Sequence, residues 1–187
     1  NTLPIPEPPH TFTCGRGGGR GHILATRDEL DKQGVTVLDV DRGGDVTYHG
    51  PGQLVAYPIL NLAEHPLGRN LHGYVRLLER VIIDTVAHFG IEAYTLEGLS
   101  GAWCQHNGEP AKIAAIGIKV DGRLITSHGI ALNVAPDLDF FNMIVPCGIE
   151  DKGVTSMAEM LPIVPIMSEV KAVFARCCTK RFGHLAV

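Results

Sequence analysis

Apolar positions along the chain recur with two periods, and glycine and proline separate the stretches that carry them. Over residues 70–89, Leu71, Val75, Leu78, Ile82 and Val86 stand 4, 3, 4 and 4 apart, which predicts a helix with one apolar face. Asn70 can cap its first turn and Gly90 can end it. A second helix is predicted over 168–181, with Val170, Val173, Phe174 and Cys177 facing inward and the adjacent Cys178 half-exposed. Elsewhere the pattern predicts strands over 11–14, 35–40, 54–60, 102–105 and 112–120. Asp121-Gly122 is a strong hairpin dipeptide, and 123–126 would return from it into 127–134. Residues 1–9, with prolines at 4, 6, 8 and 9, read as an extended lead-in. Hairpins mixed with two long helices predict an α+β fold with a mixed, mostly antiparallel sheet.

Composition narrows the classes. The chain has 187 residues, which predicts a single domain over 1–187 with a substantial core. Sixteen basic against twenty acidic residues leave −4, so neither nucleic acid nor an anionic membrane is expected as a partner. Five cysteines without a C-x-x-C argue for a reducing compartment, with the cytoplasm as the expected location. A mitochondrial or plastid matrix protein without its presequence would look the same. The nine histidines have no ligand-like spacing, and no metal is expected. The chain opens on Asn1, so a preceding segment is not visible to this reading.

Candidate chemistry gathers at a few places. Arg42-Gly43-Gly44-Asp45-Val46-Thr47-Tyr48-His49-Gly50-Pro51-Gly52-Gln53 reads as a loop between two strands, longer and more polar than a hairpin needs. Its glycines would let backbone approach a ligand, and Arg42, Thr47, His49 and Gln53 add hydrogen-bonding groups. Gly15 to Gly21 forms a second glycine cluster, without the Lys-Ser/Thr of a phosphate loop, and is read as a flexible loop. Cys147, between Pro146 and Gly148, is a candidate nucleophile. A thiol with a pKa near ~8.5 is only a few per cent ionised at neutral pH, so it needs a nearby cation or base. His128 and Lys112 both offer one, and spacing alone does not choose between them. Asn133 is a candidate to orient a partner or to end its strand.

Four blocks, taken in order, closely resemble the lipoyl(octanoyl) transferases. They are Arg42 to Gln53, Lys112-Ile113-Ala114-Ala115-Ile116-Gly117, Ser127-His128-Gly129-Ile130-Ala131-Leu132-Asn133-Val134, and Ile144-Val145-Pro146-Cys147-Gly148-Ile149. Glu7 to Arg16 is similar to a further segment of that family, with Pro8 where histidine is usual, and Val154-Thr155-Ser156 fits the segment after the cysteine. The family's initial strand and helix have no counterpart before Glu7. The resemblance implies the fold of biotin and lipoate protein ligases. It also implies transfer of an octanoyl group from octanoyl-acyl carrier protein to a lysine of a lipoyl domain, without ATP or another cofactor. Acceptors would be the lipoyl domains of 2-oxoacid dehydrogenases and the glycine-cleavage H protein, and a monomer is expected. Cys147 would carry the acyl-thioester and Lys112 would lower its pKa. Arg42, Gly43, Gly44, Asp45, Val46, Thr47, Tyr48 and His49, with Ala115, Ile116, Gly117, Gly129, Ile130 and Ala131, would line the acyl pocket. His128, Asn133 and Gln53 would support them.

The rival readings are an amidotransferase that moves octanoate between lipoyl domains, an ATP-dependent lipoate ligase, and an inactive acyl- or nucleotide-binding module. Cys147 favours the transferase over the ligase, which needs no nucleophilic cysteine. Alternation permits only part of the set Ile116, Ile118, Ile130 and Leu132 to face an acyl chain. Chain-length preference is not legible, because each methylene contributes only about 0.8 kcal/mol of burial.

Overall fold

Strand alternation sorts the apolar side chains of this protein into two separate cores, one behind each of two sheets. A computed structural model describes residues 1–145 and 152–186. In chain order the elements are β1 (Thr11–Cys14), α1 (Arg27–Lys32), β2 (Thr36–Asp39), β3 (Val46–His49), β4 (Gln53–Ala56) and α2 (Leu71–Ala87). Next come β5 (Tyr94–Leu96), β6 (Leu99–His106), β7 (Glu109–Val120) and β8 (Thr126–Asn133). The chain then continues with β9 (Gly153–Val154), α3 (Met157–Met160) and α4 (Met167–Phe182).

The smaller sheet has the order β2-β1-β3, with β1 parallel to β2 and antiparallel to β3. Phe12, Cys14, Val46 and Tyr48 point to one side, where they pack with Leu30, Phe140 and Ile144. Tyr48 stacks on Phe140 with ring centroids 4.8 Å apart. The larger sheet runs β4-β8-β7-β6-β5 through antiparallel pairs, and β9 joins β7 in parallel beside Ala111 and Lys112. Its inner face presents Leu54, Ile113, Ala114, Ile130 and Leu132 to Tyr74, Leu78, Val81 and Ile82 of α2 and to Phe174 and Cys178 of α4. Each of the larger side chains buried there contributes about 1.5–3 kcal/mol. The α+β expectation therefore holds, and the remaining face of each sheet is free to build a site.

Several local expectations need correction. Residues 42–53 are not one loop: Val46–His49 is a strand of the small sheet, and Gln53 already opens β4 in the large one. The predicted strand over 54–60 stops at Ala56, two residues before Pro58. Helix α2 begins after Asn70, whose side chain accepts the Gly73 N–H as expected, but its buried face is wider than predicted and starts later. Of the predicted face Leu78, Ile82 and Val86 are buried, Val75 is half-buried and Leu71 is exposed, while Tyr74, Val81 and Thr85 are buried in addition. In α4, Cys178 is buried and Cys177 half-buried, the reverse of the prediction. After Asp121 the return strand starts only at Thr126. Asp121 Oδ1 accepts the N–H groups of Arg123 and Ile125, and Leu124 takes a φ of 64°. The structure adds a short helix, α1, capped by Thr26 and Glu29 in a reciprocal box.

The contrast between Leu78 and Leu71 gives a direct test. Leu78→Ala should lower the unfolding free energy by about 2–5 kcal/mol, and Leu71→Ala by less than about 0.5 kcal/mol, both read from urea midpoints.

Candidate active site

Between the free faces of the two sheets lies a cavity of about 590 Å³. Period-two alternation supplies its walls. Thr11 and Thr13 of β1, Thr36 and Leu38 of β2, and Thr47 and His49 of β3 face it from the small sheet. Ala115 and Gly117 of β7 and Gly129 and Ala131 of β8 form the opposite floor. Four small residues in two directly paired rows leave a shallow trough where larger side chains would fill the space. At Gly117 a Cβ would meet Arg42 Cδ at 2.8 Å, so the absence of a side chain is what lets the Arg42 segment close over the trough.

Unbroken alternation along β7 would turn Lys112 toward the core, in step with Ala114 and Ile116. The pairing of β6 with β7 slips instead: Ala102 faces Ala114, but Trp103 faces Lys112, so Ile113 is an extra residue in β7. Ile113 and Ala114 both enter the core, and Lys112 emerges, half-buried, in the cavity wall. Gly101, at a φ of 113° beside the slip, has no room for a side chain because Ala114 O approaches it. The ammonium of Lys112 lies over the Trp103 ring, 4.8 Å from its centroid.

Arg42 is 6 % exposed and lines the same cavity. Its guanidinium donates to Thr13 O at 2.7 Å, Thr13 Oγ1 at 2.8 Å and Gly43 O at 3.0 Å, which ties the segment before β3 to β1. The neighbouring Gly43 N–H donates to Ile118 O and pins that segment to β7. Asp41 completes the clamp by accepting from Lys119 and by pairing with His128 Nε2 at 2.8 Å. These partners draw the Asp41 carboxyl down to about 2. His128 therefore sits in the cavity wall as part of a clamp, with a φ of 58°.

A chain of side-chain bonds supports the wall from behind. His49 Nδ1 lies 3.3 Å from Gln53 Oε1, and Gln53 Nε2 donates to Tyr48 O and to Asn133 Oδ1. Asn133 Nδ2 in turn donates to Thr155 O at 2.9 Å, in the segment whose Thr155 N–H bonds Lys112 O. Gln53 and Asn133 are both buried, so these bonds form in a medium where leaving them unmade is costly. Burial and the Arg42 charge push the His49 imidazole down to about 4, and it is neutral at pH 7.

Of the residues expected to line a pocket, Arg42, Gly44, Asp45, Thr47, His49, Ala115, Ile116, Gly117, Gly129, Ile130 and Ala131 do so. Val46 and Tyr48 do not, because alternation places them in the core behind the small sheet. Gly43 contributes its backbone bond to Ile118. Leu132 and Ile118 pack on the helix side, while Ile116 and Ile130 touch both the core and the cavity. Cys147 lies outside the described residues. Thr11, Thr13, Thr36 and Leu38 also line the cavity, and the period-two pattern of their strands is the signal that marks them. Trp103 meets Lys112 only through a register slip, which local sequence pattern does not mark. Among the described residues no group of three metal-binding side chains comes together, and no helix is long and apolar enough to cross a membrane.

The two sheets, with helices behind the larger one, align with solved lipoate and biotin protein ligases. The chain aligns with a bi-partite lipoate protein ligase of Thermoplasma acidophilum at a TM-score of 0.71, over 96% of this chain and 70% of that one, with 14% identity. It aligns with the biotin protein ligase of Aquifex aeolicus at 0.57, over 90% and 69%, with 17% identity. At those identities the likeness is one of fold. Residues 1–179 match the family described as Lipoyl protein ligase A/B catalytic domain, and the chain belongs to that family. It is 50% identical over 170 residues to an octanoyltransferase of Chloroflexus aggregans, spanning 91% of this chain and 75% of that protein.

The depressed His49 value has a signed consequence for stability. Below pH 6.5 the unfolded chain takes up the proton first, so His49 should cost stability increasingly as pH falls to about 4, and no further below that. Urea midpoints measured across that range should fall less steeply in His49→Gln than in the parent protein.

Proposed function

We propose that this chain transfers an octanoyl group from octanoyl-acyl carrier protein to a lipoyl-domain lysine by way of an acyl-thioester on Cys147. The observation that carries this reading is the apolar-floored trough with Lys112 in its wall, in a chain half identical to an octanoyltransferase. Octanoyl transfer in protein lipoylation is the activity of this enzyme, an acyltransferase. The donor and the covalent intermediate are the finer part of the proposal. Small residues at 115, 117, 129 and 131 suit an unbranched chain lying along paired strands.

Chemically, the Cys147 thiolate attacks the donor thioester carbonyl. A new C–S bond forms, the old C–S bond breaks, and the Lys112 ammonium gives its proton to the departing thiolate. Lys112 is then a neutral amine. It takes a proton from the incoming substrate lysine, which is normally charged (pKa near ~10.4) and non-nucleophilic until it loses one. The freed amine attacks the acyl-enzyme, the C–N bond forms as the Cys147–acyl C–S bond breaks, the amide nitrogen releases its second proton to solvent, and Cys147 leaves as thiolate. The ammonium is restored at the end of the cycle. No nucleotide enters, because the donor thioester is already activated.

Intact-protein mass after mixing with octanoyl-acyl carrier protein, without ATP, tests the reading. One octanoyl adduct is expected, lost in Cys147→Ala. Lys112→Ala should slow both formation and discharge of the adduct by about 10²-fold or more, the usual contribution of a positioned acid–base. Transfer that requires ATP and free octanoate, with no adduct, would overturn it in favour of a ligase.

A further inference from the structure

We infer that Trp103 is a positioning residue for acyl transfer, serving as the platform on which the Lys112 ammonium is held. The inference rests on the proposed role of Lys112, and it is carried by the geometry around that side chain. Trp103 is 1 % exposed, faces Lys112 directly across the β6–β7 ladder, and has the Lys112 Nζ 4.8 Å above its ring centroid. It does not line the cavity, so it acts through Lys112 and not on the acyl group.

Three features make this arrangement specific. The extra residue Ile113 brings Lys112 onto the same side of the sheet as the ring, and without the slip the two would not meet. The slip is tethered from α2, where the buried Glu79 carboxylate accepts the Gly101 N–H at 3.3 Å and pairs with Arg76 at 2.8 Å. Lys112 takes part in none of the described ion pairs, so the ring face is its evident electrostatic partner. Along the opposite ladder Val154 presents only an apolar side chain to it.

A ring suits this task better than a carboxylate. An aromatic face attracts a cation through its quadrupole but offers no site for a proton. Lys112 can therefore lose and regain its proton during the proposed cycle without a neighbouring acid competing for it. An indole is also rigid, with two side-chain torsions, so it can hold Nζ at one height over the sheet. The other ionisable groups of the cavity wall are Arg42, Asp45, His49, Tyr57 and His128. Asp45 is engaged by His22 and by the Val46 N–H, and His128 by Asp41.

The test measures octanoyl adduct formation and its discharge onto a lipoyl domain, by intact mass under single turnover, in Trp103→Leu, Trp103→Phe and Lys112→Ala. Melting temperatures are recorded for each. Trp103→Leu should slow both half-reactions about ten-fold at saturating donor, with the apparent KM changed less than about two-fold. Trp103→Phe should restore the rate to within about three-fold of the parent, since a benzene face also binds a cation. Trp103→Leu should add no further loss to Lys112→Ala, because the two act as one unit. Where the Leu variant does not fold, Trp103→Met replaces it. Phe and Leu variants equally slow, or a Leu effect that multiplies the Lys112→Ala effect, would overturn the role of Trp103 while leaving Lys112 in place. Parent rates in Lys112→Ala would remove the underlying reading, and this inference with it.

Discussion

A twelve-residue strand that alternated without interruption would carry Lys112 to the same side as Ala114 and Ile116, beneath α2 and α4. A lysine ammonium in that apolar layer would have to shed its water without gaining a partner, a cost of several kcal/mol. The single extra residue at Ile113 resolves this conflict. It leaves Ile113 and Ala114 in the core and turns Lys112 to the cavity. Everything chemical about the site depends on that half-step, because the trough floor and the lysine come from the same strand.

The two-sheet arrangement follows a similar logic. Each sheet buries one face, so the second face of each is available to the other. The facing rows carry threonines, one leucine and His49 on the small sheet and alanines and glycines on the large one. Such rows cannot interdigitate into a dry core, and a cavity remains. Arg42 and Asp41 hold the sheets together at one end through bonds to Thr13, Gly43, Lys119 and His128. The His49-Gln53-Asn133 chain holds them through the middle. Polar groups thus fasten a space that apolar packing alone would close. Asp41 contributes to the clamp above pH 3.8, and the contribution fades as pH falls toward about 2, where its carboxyl is protonated even when folded.

The sequence by itself determined the α+β class, both long helices and the blocks that carry the family likeness, because each rests on local period or on contiguous residues. Asn70 as a cap needs only its own turn, and Val170, Val173 and Phe174 need only the helical repeat. Tertiary structure alone decided which residues of the conspicuous glycine-rich stretch face a ligand. Val46 and Tyr48 stand inside that stretch and yet lie in the second core, since side chains of a strand leave on opposite faces. It also decided that Tyr74 and Val81 of α2 are buried and Leu71 is exposed, which depends on what packs against each turn of the helix. Finally, it decided that Trp103 meets Lys112. Residues nine positions apart come to face each other only through the turn at Asn107-Gly108 and a one-residue slip, and a slip is invisible in composition or period because it belongs to the pairing of two strands and to neither alone.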